Sequence, residues 1–167
     1  YRIDQGIERY MTKTQKKTAD FMEGCMELGG LLGDWQEDEI IELKKYGHAL
    51  GMAFQITDDI MDYRETTETT GKPVGNDLRE GLLTYPLLSI VNDGNKDKLL
   101  EDIKGLNNGG NEQDIIDYVI AQGGIDNTLA VADKYCKDAL AALAAVRDFP
   151  GKEFLVMAVE NLADRKV

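Results

Sequence analysis

The sequence contains little cysteine, and its two cysteines give no sign of a disulfide framework or a zinc site. Cys25 and Cys136 lie far apart, without CxxC or Cys/His spacing. A reducing compartment fits this pattern best, so we expect a cytoplasmic protein. The first residues also lack the basic and then apolar order of a signal peptide. The chain begins with Tyr1 rather than Met and is already helical in pattern there, which is compatible with a piece of a longer protein.

Basic residues are also scarce relative to acidic ones. Lys and Arg total 19 against 31 Asp and Glu, which gives a formal net charge of -12. Such a surface repels phosphate backbones and anionic lipid, so we expect no nucleic-acid partner. An acidic protein that handles a polyanion needs divalent cations as a bridge, since carboxylates bind hard cations and the cations bind phosphate oxygens. No window approaches 18 uninterrupted apolar residues, so we expect no stable membrane insertion.

Helical signals are abundant along the whole chain. Long segments rich in Ala, Leu, Met, Glu and Lys are separated by short Gly, Asn and Asp clusters, and no segment shows sustained two-residue alternation. A hydrophobic content of 43% over 167 residues is ordinary for one soluble domain with a core. We therefore predict a single all-α domain over residues 1–167. The predicted helices cover about 4–31, 34–63, 82–91, 98–106, 112–122, 126–146 and 152–165.

Local features refine the second long helix and the segment after it. Asp34 followed three residues later by Glu37 has the form of a capping box and is predicted to open this helix. Gly47 and Gly51 lie one turn apart on one face, and each costs on the order of 1 kcal/mol of helix propensity. We therefore predict that another backbone packs tightly against that face. Residues 64–81, rich in Thr, Gly and Asp, are predicted to form the one long loop.

Three aspartates near the end of the second long helix form the most informative cluster. At about 100° per residue, Asp58, Asp59 and Asp62 share an exposed or cavity-facing stripe with Gln55, opposite an apolar arc. The carboxylates repel one another, and the helix macrodipole disfavours anions at this end. A divalent cation is the simplest compensation, and Mg²⁺ suits a partial set of carboxylates because it keeps waters and substrate phosphates in its shell. The alternative is a solvated acidic face on a very acidic protein.

The neighbours of this cluster favour the metal hypothesis. The pattern Phe-Gln-x-x-Asp-Asp-x-x-Asp at residues 54–62 is followed by Gly-Lys-Pro at 71–73 and by Gly-Asn-Asp-Leu at 75–78. This order of residues resembles the second aspartate-rich motif of the trans-prenyl diphosphate synthases and the loop that follows it.

Three further segments carry the same resemblance. Lys17-Thr18 resembles the Lys-Thr pair of that family, and Tyr-Gly-x-x-Leu-Gly at 46–51 resembles its approach to the motif. Thr-Tyr-Pro-Leu-Leu at 84–88 resembles the Thr-Leu-Pro-Leu that follows its loop. The resemblance implies the helical bundle of the isoprenoid synthase type, of which this chain would be a carboxyl-terminal portion.

The resemblance also implies a substrate and a metal. Asp58, Asp59 and Asp62 would hold magnesium against the diphosphate of an allylic substrate. Lys17 and Lys72 would contact that diphosphate directly. The magnesium ion and the two lysines would stabilise the negative charge that develops on a departing diphosphate.

Thr18 and Gln55 would, by the same resemblance, present oxygen atoms toward the carbocation that remains when the diphosphate leaves. The family reaction adds this cation to the double bond of isopentenyl diphosphate, removes a proton and lengthens the prenyl chain by one unit. A largely apolar pocket limits capture of the cation by water.

The family uses two aspartate-rich motifs on facing helices, whereas this sequence contains one. We therefore predict that the chain alone is not an active synthase, and that the first motif and the isopentenyl diphosphate site lie upstream of Tyr1. The whole enzyme is expected to be a homodimer. A terpene cyclase on the same fold is an alternative, against which the matched Lys-Thr and Gly-Lys-Pro elements argue. A noncatalytic helical subunit that regulates a synthase partner is another, against which the retained acidic cluster argues.

Overall fold

The structure is a computed structural model that describes residues 6–64 and 75–164, and every regular element in these ranges is helical. The all-α prediction is confirmed. A π-helical turn (Gln15–Ala19) joins the first two helices, and a 3-10 turn (Leu106–Asn108) follows the sixth. The α-helices are α1 (Gly6–Thr14), α2 (Asp20–Leu32), α3 (Glu37–Arg64), α4 (Asn76–Arg79), α5 (Tyr85–Leu88), α6 (Lys96–Gly105), α7 (Glu112–Ala121), α8 (Gly124–Ala144) and α9 (Lys152–Asp164). None of the helices in the described ranges is both long and apolar enough to cross a membrane.

Most predicted helices are confirmed to within a few residues, but the predicted capping box is wrong. α3 begins at Glu37, and Asp34 instead has a positive φ of 52° in the turn that ends α2. Across this turn the amide of Trp35 donates a hydrogen bond to the carbonyl of Gly30 at 3.1 Å. Asp adopts the left-handed conformation more readily than most residues. Asp34 therefore belongs to the turn, not to the start of α3.

The predicted long loop contains more regular structure than the sequence suggested. α4 (Asn76–Arg79) is a helical turn inside it, while residues 65–74, Lys72 among them, lie outside the described part of the chain. The next predicted helix is shorter than expected and covers Tyr85–Leu88. Pro86 lies at its start, because proline lacks an N–H and is tolerated in a first turn.

The chain divides into two compact units, each with its own core. The first unit contains residues up to Met11 and the segment Asp58–Leu129, and the second contains Thr12–Thr57 and the residues from Ala130 onward. The single-domain organisation stays a prediction. Fully buried side chains of the first unit include Leu78, Leu87, Ile103, Ile116 and Val119, and those of the second include Tyr46, Ala53, Ile56, Ala139 and Leu143.

In the second unit the predicted close approach of two backbones is confirmed at α3. A Cβ atom on Gly47 would lie 2.6 Å from the carbonyl oxygen of Met22. A Cβ atom on Gly51 would lie 2.6 Å from the Cα atom of Ala19. Only glycine at these two positions lets α2 and the π-helical turn pack directly on α3.

Candidate functional site

The three aspartates of the acidic motif have different surroundings, although α3 carries all of them. Asp58 is exposed and makes no hydrogen bond or ion pair with the residues that the structure describes. Asp59 is buried, with 4% of its surface exposed. Asp62 is half-buried. The helical pattern predicted that all three aspartates share one exposed or cavity-facing stripe, whereas in the structure their exposure differs.

Asp59 is held by a tyrosine from a distant part of the sequence. The hydroxyl of Tyr10, on α1, donates a hydrogen bond to Oδ2 of Asp59 at 2.5 Å. The ring of Tyr10 packs edge-on against the ring of Tyr85, with 5.7 Å between centroids. All three residues belong to the first unit. Sequence reasoning missed this contact, because nothing in the pattern around Tyr10 indicates its partner.

Asp62 is tied to the start of α4. Its Oδ1 accepts a hydrogen bond from the backbone N–H of Asn76 at 3.1 Å, and its Oδ2 accepts one from the N–H of Asp77 at 3.2 Å. Its carbonyl oxygen accepts the N–H of Gly75 at 3.0 Å. Burial raises the pKa of Asp62, and the neighbouring carboxylate of Asp77 raises it further, while the two backbone N–H groups act in the opposite direction.

The predicted pair of carbocation-facing residues meets in the second unit. Thr18 lies in the π-helical turn, and its hydroxyl donates a hydrogen bond to Oε1 of Gln55 at 3.1 Å. Single π-turns within helices are frequent at functional sites. Sequence reasoning predicted one uninterrupted helix here and missed the turn. Lys17, beside Thr18 in the same turn, is exposed.

The donor chemistry of the motif fits a partial magnesium site. Mg²⁺ is usually bound through one or two carboxylates, with waters and substrate phosphates completing its shell. Both oxygens of Asp62 accept backbone N–H groups, and one oxygen of Asp59 accepts the Tyr10 hydroxyl. Asp58, which is exposed, is therefore the carboxylate of the three that is most open to a cation. Lys72, the other residue assigned to the diphosphate, lies outside the described residues.

A second group of charged residues lies on α2 and α3. Asp20, Glu23 and His48 each offer one ligand atom, and these atoms lie within 4.8 Å of one another. Glu23 already has partners, since its Oε1 pairs with Nζ of Lys44 at 3.8 Å and its Oε2 lies 3.4 Å from Nδ1 of His48. His48 is partly exposed.

Comparison with known proteins gives the relationship of this sequence to others. Residues 2–122 match the polyprenyl synthetase family. The octaprenyl diphosphate synthase of Escherichia coli is 34% identical over 153 residues, which cover 89% of this chain and 47% of that protein. Component 2 of the heptaprenyl diphosphate synthase of Geobacillus stearothermophilus is 32% identical over 140 residues, which cover 84% of this chain and 44% of that protein.

Solved structures share the helical fold. The heptaprenyl diphosphate synthase of Staphylococcus aureus superposes with a TM-score of 0.86 at 28% identity, over 99% of this chain and 52% of that one. A polyprenyl synthase of Caulobacter crescentus, complexed with calcium and isoprenyl diphosphate, superposes with a TM-score of 0.83 at 30% identity, over 99% and 52%. The chain thus spans about half the length of the relatives it matches. Since the family match covers most of its residues, the chain belongs to the polyprenyl synthetase family.

Proposed function

We propose that this chain supplies the second aspartate-rich part of a magnesium-dependent prenyltransferase. The whole enzyme would condense an allylic diphosphate head-to-tail with isopentenyl diphosphate in isoprenoid biosynthesis. Family membership supports the class of reaction. The observation that carries the proposal for this chain is Asp58, an exposed carboxylate without a hydrogen bond or ion pair to the described residues, next to two carboxylates that have such partners.

In this proposal the acidic motif binds the metal and two lysines bind the diphosphate. A bound magnesium ion would supply positive charge against the leaving diphosphate. Asp58 would be its directly exposed ligand, and Asp59 and Asp62 would add negative charge around it. Lys17 and Lys72 would contact the diphosphate oxygens. The Caulobacter relative, complexed with calcium and isoprenyl diphosphate, supports a cation and a diphosphate as the ligands of this family.

Thr18 and Gln55 would direct oxygen lone pairs at the developing carbocation. Their hydrogen bond at 3.1 Å supports this role because it fixes both oxygens relative to one another. A hydroxyl oxygen and a side-chain amide oxygen each carry two acceptor lone pairs. Oxygen atoms fixed in advance stabilise a cation without reorganising during the reaction.

We further propose that this part of the fold needs additional protein to be active, in a cytoplasmic homodimer. On α2 the side chains of Phe21, Leu28 and Leu32 are 73%, 56% and 78% exposed, and they recur on one face of the helix. The other face packs into the second unit through Gly30 and Met26. Exposed apolar patches of this kind mark interaction surfaces, so more protein is expected to cover this face.

A thermal melt tests the proposed function. The chain is melted with Mg²⁺ alone, with a nonhydrolysable allylic diphosphate analogue alone, and with both. A rise in the melting temperature that requires both ligands is expected, because ligands that bind only the folded state stabilise it. Asp58→Asn should abolish the rise. Asp102→Asn is the matched control, since Asp102 is an exposed helical aspartate elsewhere in the first unit. An unchanged melt of the wild-type chain, or an equal rise in Asp58→Asn, would contradict the proposal.

The second candidate function is a noncatalytic helical subunit that regulates a synthase partner. It is favoured by the name of the Geobacillus relative, component 2, which indicates a further component for that protein. Clustered carboxylates would have no ligand to bind in such a subunit. The same melt separates the two candidates, since a noncatalytic subunit should gain no stability from Mg²⁺ and the diphosphate together.

A further inference from the structure

We propose that Tyr10 is a positioning residue for the acidic motif: its hydroxyl anchors Asp59 in the interior, so that Asp58 alone faces the cation. This inference rests on the proposed function. It assigns a role to a residue on α1 that lies far from the acidic motif in sequence and outside the short motif segments quoted for the family resemblance.

The hydrogen bond between Tyr10 and Asp59 is buried and short. Tyr10 and Asp59 are 49 positions apart, and their side chains are 9% and 4% exposed. The distance of 2.5 Å between the hydroxyl oxygen and Oδ2 is in the range of a charge-assisted O–H···O⁻ hydrogen bond, which is about twice as strong as a neutral one. A buried carboxylate needs such partners, because burial without hydrogen bonds is costly.

Packing fixes the donor independently of Asp59. The Tyr10 ring meets the Tyr85 ring at an angle of 64°, an edge-to-face arrangement that aromatic pairs prefer. Tyr85 opens α5 next to Pro86, whose ring restricts the backbone at that point. The hydroxyl of Tyr10 is therefore held in place by the surrounding helices, and it holds one oxygen of Asp59.

The position of Asp59 also determines where Asp58 points, because the two residues are neighbours on one helix. Successive side chains on an α-helix point about 100° apart. With Asp59 fixed inward, its neighbour Asp58 points outward, where it is exposed. Without the Tyr10 hydroxyl, the Asp59 carboxylate loses a buried hydrogen bond, so conformers in which it turns toward water, close to Asp58, become more populated. The negative charges of Asp58 and Asp59 would then lie close together at the position where, in the wild-type protein, Asp58 alone faces the cation.

The test measures metal affinity rather than activity. Mn²⁺ replaces Mg²⁺ as a paramagnetic probe, and the full chain is titrated by electron paramagnetic resonance with the nonhydrolysable allylic diphosphate analogue present. Tyr10→Phe keeps the ring and removes the hydroxyl, so we expect roughly 10- to 100-fold weaker Mn²⁺ binding, as for other groups that orient a metal ligand. Tyr85→Phe removes a hydroxyl from the other ring of the pair and should leave Mn²⁺ affinity unchanged.

A second pair of variants asks whether Tyr10 acts through Asp59. In an Asp59→Ala background, Tyr10→Phe should cause no further loss of Mn²⁺ affinity, because there is no carboxylate left to anchor. Asp59→Asn keeps an oxygen that accepts from the Tyr10 hydroxyl, so it should bind Mn²⁺ more tightly than Asp58→Asn. This comparison needs no Tyr10 variant, and it tests whether Asp58 rather than Asp59 binds the cation directly.

The outcomes separate this inference from the proposed function. If the wild-type chain binds Mn²⁺ and folded Tyr10→Phe binds it equally well, Tyr10 has only a structural role and the inference is wrong. Loss of binding in Asp59→Asn as complete as in Asp58→Asn would make Asp59 a direct ligand and would also overturn it. A wild-type chain that binds no Mn²⁺ with the analogue would count against both proposals.

Discussion

The Cα atom of Ala19 lies 2.6 Å from the point where a Cβ atom on Gly51 would stand. The obstacle is backbone rather than the end of a flexible side chain, so Gly51→Ala forces the π-helical turn away from α3. Overpacking of this kind costs roughly 1–3 kcal/mol of the free energy of unfolding. We expect a loss in that range, measured by urea denaturation, together with a weakened Thr18–Gln55 contact.

Gly24 provides the matched control for this substitution. It lies in α2, is exposed, and has no atom within 4 Å of an added Cβ. Gly24→Ala should raise the free energy of unfolding by about 0.5–1 kcal/mol, because alanine loses less conformational entropy in a helix. Equal effects of the two substitutions would show that helix propensity, not the contact with Ala19, governs position 51.

The close contact at Gly51 was predictable from the sequence, and the contact at Asp59 was not. Gly47 and Gly51 recur at a helical spacing, which is a local signal of close packing. The partner of Asp59 is a tyrosine on another helix, and pairings over such a distance leave no trace in a single sequence. Periodicity placed Asp58 and Asp59 on one stripe, but burial depends on what packs against α3, and that is decided by the tertiary structure.

The helices were likewise predictable where local sequence determines them and not where tertiary packing does. The long helices were predicted because their apolar residues recur at helical spacing. The π-helical turn at Gln15–Ala19 was not, since its residues are ordinary helix formers and give no local signal of an extra residue per turn. Asp34 and Glu37 have the spacing of a capping box, but Asp34 has a left-handed conformation in the turn that ends α2.

The hydrogen bonds from α4 to Asp62 predict unequal effects within the acidic motif. Asp62→Ala removes the acceptor of two backbone N–H groups, those of Asn76 and Asp77. Losing such partners costs about 1–3 kcal/mol, and α4 should open locally. In hydrogen-exchange mass spectrometry, peptides that contain Asn76 and Asp77 should exchange faster.

Asp58→Ala is the control for this prediction, because Asp58 makes no hydrogen bond or ion pair among the described residues. Its removal also relieves repulsion with Asp62, so the free energy of unfolding should stay within about 0.5 kcal/mol of wild type or rise. Unaltered exchange at α4 in Asp62→Ala would mean that these hydrogen bonds do not hold the turn.

The Thr18–Gln55 hydrogen bond predicts a difference between two conservative substitutions. Thr18→Val keeps the shape of the side chain and removes the donor, so we expect a loss of about 0.5–1.5 kcal/mol in the free energy of unfolding. Thr18→Ser keeps the hydroxyl and should retain the hydrogen bond. A double-mutant cycle with Gln55→Leu isolates the pair, and additive effects of the two single substitutions would argue against a stabilising contact.

The burial of Tyr46 leads us to predict a loss of stability at alkaline pH. This fully buried tyrosine of α3 donates a hydrogen bond to the carbonyl of Leu155 at 2.8 Å, and burial raises its pKa to about 12. The folded chain thus holds the phenolic proton more tightly than the unfolded chain, whose tyrosines ionise near pH 10. The resulting stabilisation is fully present below about pH 10 and is lost as pH rises through about 12, with a slope of up to ~1.4 kcal/mol per pH unit.

Tyr46→Phe should lower the free energy of unfolding by about 1 kcal/mol at neutral pH, because the hydrogen bond to Leu155 is lost. It should also flatten the decline in stability above pH 10, since one ionising group has been removed. Urea denaturation at a series of pH values from neutral to alkaline gives both quantities. Tyr118→Phe, at a partly exposed position on α7, is the matched control and should keep the wild-type slope. Parallel declines in wild type and Tyr46→Phe would show that Tyr46 does not drive the alkaline unfolding.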